Sequence, residues 1–222
     1  MRDETRSLAK IRCYGLLAAA LLALSAAPAQ ALPVDLSLPV VAPTPSLLVP
    51  GSSIFVEVAV SGLTSGAAPS LTAVDLTIGF DDAALDFVSL SFISFGGVQS
   101  TNLSGQPCTL ANLDASCDVL LDSSASPGAV TLAVASLVTP ADVNANQPAS
   151  GSIATIEFLA QAPGATSLAF TQIALSGTTS GTSQGTLAAS ASSTLLNVVP
   201  EPAPAWLLAL SLVALGRGRR TH

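Results

Sequence analysis

The sequence predicts an all-β domain: an antiparallel jelly roll or β-sandwich of about eight or nine strands. Three observations predict it. Short runs of strict apolar/polar alternation recur between Gly, Pro, Asn and Ser turns, whereas helical periodicity is almost absent. The 14 acidic residues, 7 basic residues and single histidine of the 222-residue chain are unevenly placed. All seven cations (Arg2, Arg6, Lys10, Arg12, Arg217, Arg219, Arg220) lie at the two ends, and His222 is the last residue. The central stretch, free of Lys, Arg and His, is one domain's worth of chain, long enough to bury a core without unusual staples.

The elements follow in chain order. Residues 1 to 12 carry four cations against Asp3 and Glu4, and an apolar run extends from Tyr14 to Leu24. Ala29-Gln30-Ala31 then supplies small residues at −3 and −1, so the first 31 residues read as a secretory signal peptide cut by signal peptidase after Ala31, with Ala29 and Ala31 as the cleavage residues. The apolar run falls short of the roughly 20 residues needed to span a bilayer. Cys13 belongs to the discarded segment. Residues 32 to 50 contain Pro33, Pro39, Pro43, Pro45 and Pro50, which predicts an extended linker ahead of a domain at 51 to 199.

Within that domain Ile54, Val56, Val58 and Val60 alternate with Phe55, Glu57 and Ala59. Val74, Leu76, Ile78 and Phe80 face one way in the next run, with Asp75, Thr77 and Gly79 on the other side. A turn at Asp81-Asp82 leads into a strand in which Val88, Leu90 and Phe92 alternate with Ser89 and Ser91. Further strands are expected at 118 to 121, 129 to 137, 152 to 160, 166 to 170, 172 to 175 and 194 to 199. Residues 176 to 194 hold 14 Ser, Thr or Gly in 19 positions and read as a flexible loop with one weak strand.

Charge excludes several functions. Residues 32 to 200 carry eleven acids and no base, so the domain has nothing to neutralise phosphates and binds no nucleic acid. It has no histidine or lysine to activate a serine or cysteine nucleophile. Paired carboxylates of the glycosidase kind are not visible either, because Asp81 and Asp82 are adjacent and point apart on a strand. The expectation is therefore a protein that is not an enzyme. Cys108 and Cys117 are the only cysteines left after export, and an oxidising compartment predicts a disulfide between them.

At the C-terminal end stand Pro200-Glu201-Pro202, the apolar run AWLLALSLVAL (205 to 215) and the cluster Arg217-Gly218-Arg219-Arg220. Residues 198 to 220 thereby resemble the PEP-CTERM sorting signal of Gram-negative bacteria. The resemblance implies that an exosortase recognises Pro200, Glu201, Pro202, Arg217, Arg219 and Arg220 and processes the chain at or near the tripeptide. It departs from a comfortable span, since eleven helical residues rise only about 17 Å against a hydrocarbon core of about 30 Å. The basic tail would stay cytoplasmic and hold the preceding domain outside the inner membrane until processing, with the protein then in the cell envelope or outside the cell.

The strand order also carries a resemblance. PGSS leading into IFVEVAV (50 to 60), AVDLTIGFDDAALDFVSLSF (73 to 92) and GSIATIEFLAQAPGATSLAF (151 to 170) are similar to the cohesin family, nine-stranded jelly rolls. The resemblance covers about residues 47 to 199. It implies a binding module that docks a partner through a sheet face, with an envelope or matrix protein as the expected partner. The alternative is a module for exopolysaccharide in a biofilm matrix. Flat sugar platforms rely on Trp and Tyr, yet Trp206 and Tyr14 lie in the terminal segments and the domain's seven aromatics are all Phe.

No cofactor is expected, and calcium is the one metal the residues suggest. Asp142, Asn144 and Asn146 have the alternating oxygen spacing of a calcium loop, but Gln147 and Ile153 stand where an EF-hand needs glycine and a bidentate glutamate. Asp81, Asp82 and Asp86 form a second candidate set at one strand end. The competing reading is acids placed at turns for solubility and local hydrogen bonding.

Overall fold

The protein is described from a computed structural model covering residues 33–42, 48–93, 108–112, 114 and 116–200. The described residues form twelve strands and one helix. In order these are β1 (Val34–Ser37), β2 (Val40–Ala42), β3 (Ser53–Ser61), β4 (Ser70–Gly79), β5 (Leu85–Phe92), β6 (Val119–Ser126), β7 (Ala129–Ser136), α1 (Pro140–Asn146), β8 (Gly151–Ala160), β9 (Gly164–Ser180), β10 (Ser183–Thr186), β11 (Ala189–Ala191) and β12 (Thr194–Val198). They build two six-stranded sheets. The first runs β11-β1-β3-β8-β5 with β2 also on β3, and the second β10-β9-β4-β7-β6 with β12 on β9. All strand pairs are antiparallel except β1 with β11.

The alternation read from β3 and β4 is the reason the sheets pack. Ile54, Val56, Val58 and Val60 of β3 are buried, as are Val74, Leu76 and Ile78 of β4, while Glu57 and Asp75 face outward. Phe158 of β8 is fully buried and meets Phe80 and Phe87 edge-on at centroid distances of 5.1 and 6.4 Å. Each such side chain contributes about 1.5–3 kcal/mol by leaving water. With no cation among residues 33 to 200, burial and backbone pairing hold the domain together.

The structure corrects several expectations. Residues 32 to 50 are not simply a linker: β1 and β2 pair with β3, and Val34, Leu36, Leu38 and Leu48 are 1 % exposed. Their prolines interrupt pairing without removing the apolar face. The expected loop at 176 to 194 is sheet, since β9 continues as a single 17-residue strand to Ser180 and β10 folds back on it. That strand also joins the two pieces expected at 166 to 170 and 172 to 175. In β5 the register shifts between Phe87 and Ser89, so Val88 is an extra residue with its side chain 49 % exposed, and Phe87 takes the inward position instead. The bulge offsets the residues on its two sides by one position, so Phe87 and Val88 depart from simple alternation while Leu90 and Phe92 pack inward as it predicts. Residues 140 to 146, where the sequence pattern showed only a calcium-loop spacing, form α1.

Candidate functional site

Two outward sheet faces offer flat surfaces. On the first sheet, Glu57 and Glu157 occupy neighbouring outward positions on β3 and β8, and each carboxylate is held: Ser152 Oγ donates to Glu57 Oε2 at 2.6 Å and Ser89 Oγ to Glu157 Oε2 at 3.1 Å. Phe55 lies directly opposite Glu157. Both acids are thus engaged within the sheet.

The second sheet is built differently. Register places Asp122, Ala133, Asp75 and Ala174 in one row across β6, β7, β4 and β9. Leu120, Ala135, Ala73 and Ser176 form the adjoining row. Together they line a shallow concavity of about 280 Å³. Its floor is low because the central residues are alanines, and register shifts in the β4–β9 ladder on either side, between Leu71 and Ala73 and between Thr77 and Ile78, add local twist. Asp75 and Asp122 rise at the rim, exposed and without a hydrogen-bond partner among the described residues. The contrast with Glu57, Glu157 and Asp35, which accepts from Ser190 Oγ, is clear.

The sequence-predicted sites fall elsewhere. Asp81 makes an Asx turn, its Oδ1 accepting from Ala83 N–H at 3.0 Å, while its carbonyl accepts from Ala84 and Leu85 N–H. Asp82 and Asp86 complete no cluster with it: among the described residues no three His, Cys, Asp or Glu side chains form a group able to hold a metal. Asp142, Asn144 and Asn146 do not line a loop. Thr139 caps α1 by accepting from Asp142 N–H, Asn146 Nδ2 donates to the Asp142 carbonyl, and Asn144 turns toward the β9–β10 turn. The calcium spacing read from these three residues is overturned by the helix, which puts Asn144 on the opposite side of its axis from Asp142 and Asn146.

Asn144 instead completes a buried polar network. Thr178 Oγ1 donates to Asn144 Oδ1 at 2.6 Å and lies 2.7 Å from Ser70 Oγ. It also accepts from Ser70 N–H at 3.1 Å, and Asn144 Nδ2 donates to the Gly181 carbonyl at 2.6 Å. Beside it Gln147 Oε1 accepts from Leu71 N–H. The network fastens α1 to the start of β4 and the end of β9. Cys108 and Cys117 are disulfide-bonded with Cα atoms 5.8 Å apart, and the Cys108 carbonyl accepts from Leu121 N–H of β6 at 2.7 Å. Of the terminal signals only Pro200 is described; Ala29, Ala31, Glu201, Pro202, Arg217, Arg219 and Arg220 lie outside the described residues. No helix among the described residues is long and apolar enough to cross a membrane.

No family model and no curated protein matches the chain. Solved structures do. The seventh ScaB type I cohesin of Pseudobacteroides cellulosolvens superimposes with TM-score 0.52 at 12% identity, covering 76% of this chain and 94% of that one. The fold is cohesin-like. A type I cohesin–dockerin complex from Clostridium thermocellum gives TM-score 0.51 at 11% identity, over 76% of this chain and 100% of that one. The cohesin module of a Clostridium perfringens family 33 glycoside hydrolase gives 0.50 at 13% identity, over 76% and 98%. At such identities the likeness is one of architecture. The two antiparallel sheets form a sandwich like that of cohesins.

Sequence reasoning put Asp75 on the outward side of its strand but missed the concavity, because nothing in one strand's pattern says that β6 and β7 line up beside β4. The alanines were also unremarkable one by one. Only the register gathers Ala73, Ala133, Ala135 and Ala174.

Proposed function

We propose that this is an exported, non-catalytic, cohesin-like binding module with an adhesive or structural role in the cell envelope or extracellular matrix, docking a protein partner through the outer face of the second sheet. The observation that carries the docking face is the alanine-floored concavity, a surface where another backbone can approach closely between two free carboxylates. Support for a protein partner comes from the cohesin-like fold, one of whose solved relatives is in complex with a dockerin. Support for export and sorting comes from the sequence: a signal peptide ending at Ala31 and the Pro200-Glu201-Pro202 tail with its arginines, read by signal peptidase and an exosortase. The tail holds the chain in the inner membrane until processing.

A sugar-binding role finds less support, since Phe80, Phe87, Phe92, Phe158 and Phe170 all pack with the core and only Phe55, among the described phenylalanines, belongs to an outer sheet face. The test pairs a glycan array with affinity capture from envelope extracts. A defined protein partner lost in Ala133→Trp supports the docking reading, whereas saturable glycan binding without a protein partner overturns it. Mass spectrometry of the exported protein checks the sorting reading. It should begin at Leu32 and end near Pro200-Glu201-Pro202; an intact N-terminus or an intact arginine tail on mature protein refutes it.

A further inference from the structure

We propose that β12 must leave the sheet before the chain is cut at Pro200-Glu201-Pro202, so that docking of this strand controls sorting. The inference rests on the reading of that tripeptide as a processing signal and adds the switch that governs it. β12 ends at Val198, and Val199 is also held: its N–H donates to the Leu48 carbonyl at 2.7 Å, beside the parallel bridge of Leu48 with Val198. Pro200 follows at once, with no spacer between the last bonded residue and the motif. Chain length then sets a limit. Three residues span at most about 11 Å, so every peptide bond within the tripeptide lies that close to Val199. A domain of about 100 residues already has a radius of gyration of about 13 Å, so an enzyme closing around such a bond meets the sandwich.

The backbone is committed as well. β12 pairs with β9 through five residue pairs, and on its other side Thr194 Oγ1 donates to the Leu38 carbonyl and Val199 N–H to Leu48. An enzyme that reads an extended segment uses the same N–H and C=O groups. Docking on the domain and docking on the enzyme therefore exclude each other. Release of residues 194 to 199 frees about 20 Å of extended chain, enough to carry the motif clear. One group favours release. Thr166, the register partner of Leu196, is 5 % exposed, and its Oγ1 has no hydrogen-bond partner among the described residues. That hydroxyl is cut off from water only while β12 lies beside it, and undocking hydrates it. Leu196 and Val198, 3 % and 1 % exposed, oppose release by their burial.

The experiment follows loss of the arginine tail from the full chain in cells that export it, by pulse labelling and mass spectrometry. Val199 N–H turns to Leu48, so Leu195, four residues back along the strand, also turns its backbone groups away from β9. It forms with Ser167 a non-hydrogen-bonded pair, whose Cα separation of about 4.5 Å suits a disulfide. Both side chains are exposed, so Leu195→Cys/Ser167→Cys locks β12 without touching the core, and free-thiol labelling verifies closure. The locked chain is expected to lose its tail about tenfold more slowly than the parent, or slower still. An eight-residue Gly/Ser spacer before Pro200, which reaches as far as the freed strand, should restore processing with the lock closed. Thr166→Val, which removes the unpaired hydroxyl and keeps its shape, should slow tail loss about fivefold. Processing of the locked chain at the parent's rate, no rescue by the spacer, or an unchanged rate in Thr166→Val overturns the proposal and leaves the sorting reading standing. An intact tail on the mature parent protein removes the sorting reading and this proposal with it.

Discussion

Replacing Thr178 by valine tests the account of how the domain is closed at its helical end. The two side chains are nearly the same shape, so the substitution removes a hydroxyl and leaves packing in place. Thr178 and Ser70 are both 0 % exposed, so no water takes the lost position. In the native domain the hydroxyl accepts from Ser70 N–H, lies 2.7 Å from Ser70 Oγ and donates to Asn144 Oδ1. Its loss strands two buried donors on Ser70 and one acceptor on Asn144, which is only half-buried and can turn to solvent. A buried group left unsatisfied costs about 1–3 kcal/mol, so the two on Ser70 together predict about 3 kcal/mol. For a domain of this size that is roughly 6–12 °C in thermal midpoint. Urea unfolding of the parent, Thr178→Val, Ser70→Ala and the double variant measures it. Because Ser70→Ala deletes one stranded donor, the double variant should be about 1–2 kcal/mol more stable than the sum of the singles requires. A Thr178→Val variant within about 0.5 kcal/mol of the parent, or strict additivity, refutes the network as a source of stability.

Other outcomes are expected. Gly177→Ala should destabilise by about 3 kcal/mol or more, since a Cβ there would sit 1.8 Å from the Ser70 carbonyl oxygen, a backbone atom; Gly185→Ala, whose nearest neighbour is a threonine methyl at 3.3 Å, should cost far less in the same denaturation assay. Replacing both Cys108 and Cys117 by serine should lower stability by about 2.5–3 kcal/mol, the loop-closure value for a separation of 9 residues, visible as a lower urea midpoint. Calcium should raise the thermal midpoint no more than magnesium at equal ionic strength, because the described acids gather into no metal-holding group; a calcium-specific rise would contradict the placement of Asp81, Asp82, Asp86 and Asp142.

The parts of the fold that were legible in the sequence are those where large apolar side chains alternate. β3 and β4 follow directly from Ile54 to Val60 and Val74 to Ile78. Less of the domain's edges could be read. Val34, Leu36 and Leu38 have the same alternation, but five prolines nearby outweigh it in a composition-based reading. The end of β9 has almost no apolar signal; it is sheet because its backbone pairs on both sides and Gly177 lets the Ser70 carbonyl come close. α1 did leave a signal, Thr139 before Pro140 with Asp142 in the first turn, which is the pattern of a capped helix start. The docking face was legible one residue at a time and invisible as a surface, since register is a property of strand pairs.

The long strand β9 also decides how the domain would bear load. Its first half pairs with β12 through five residue pairs, Gly164 with Val198 through Leu168 with Thr194, while its second half lies in the sheet that carries the docking concavity. If the chain is tethered beyond Pro200 and pulled by a partner on that sheet, β12 is drawn toward its Val198 end and β9 is held from the opposite direction. The five pairs are then stretched together in shear rather than opened one after another. Rupture would require them to fail at once, a geometry that lets five short residues at the edge of a small domain carry a tether.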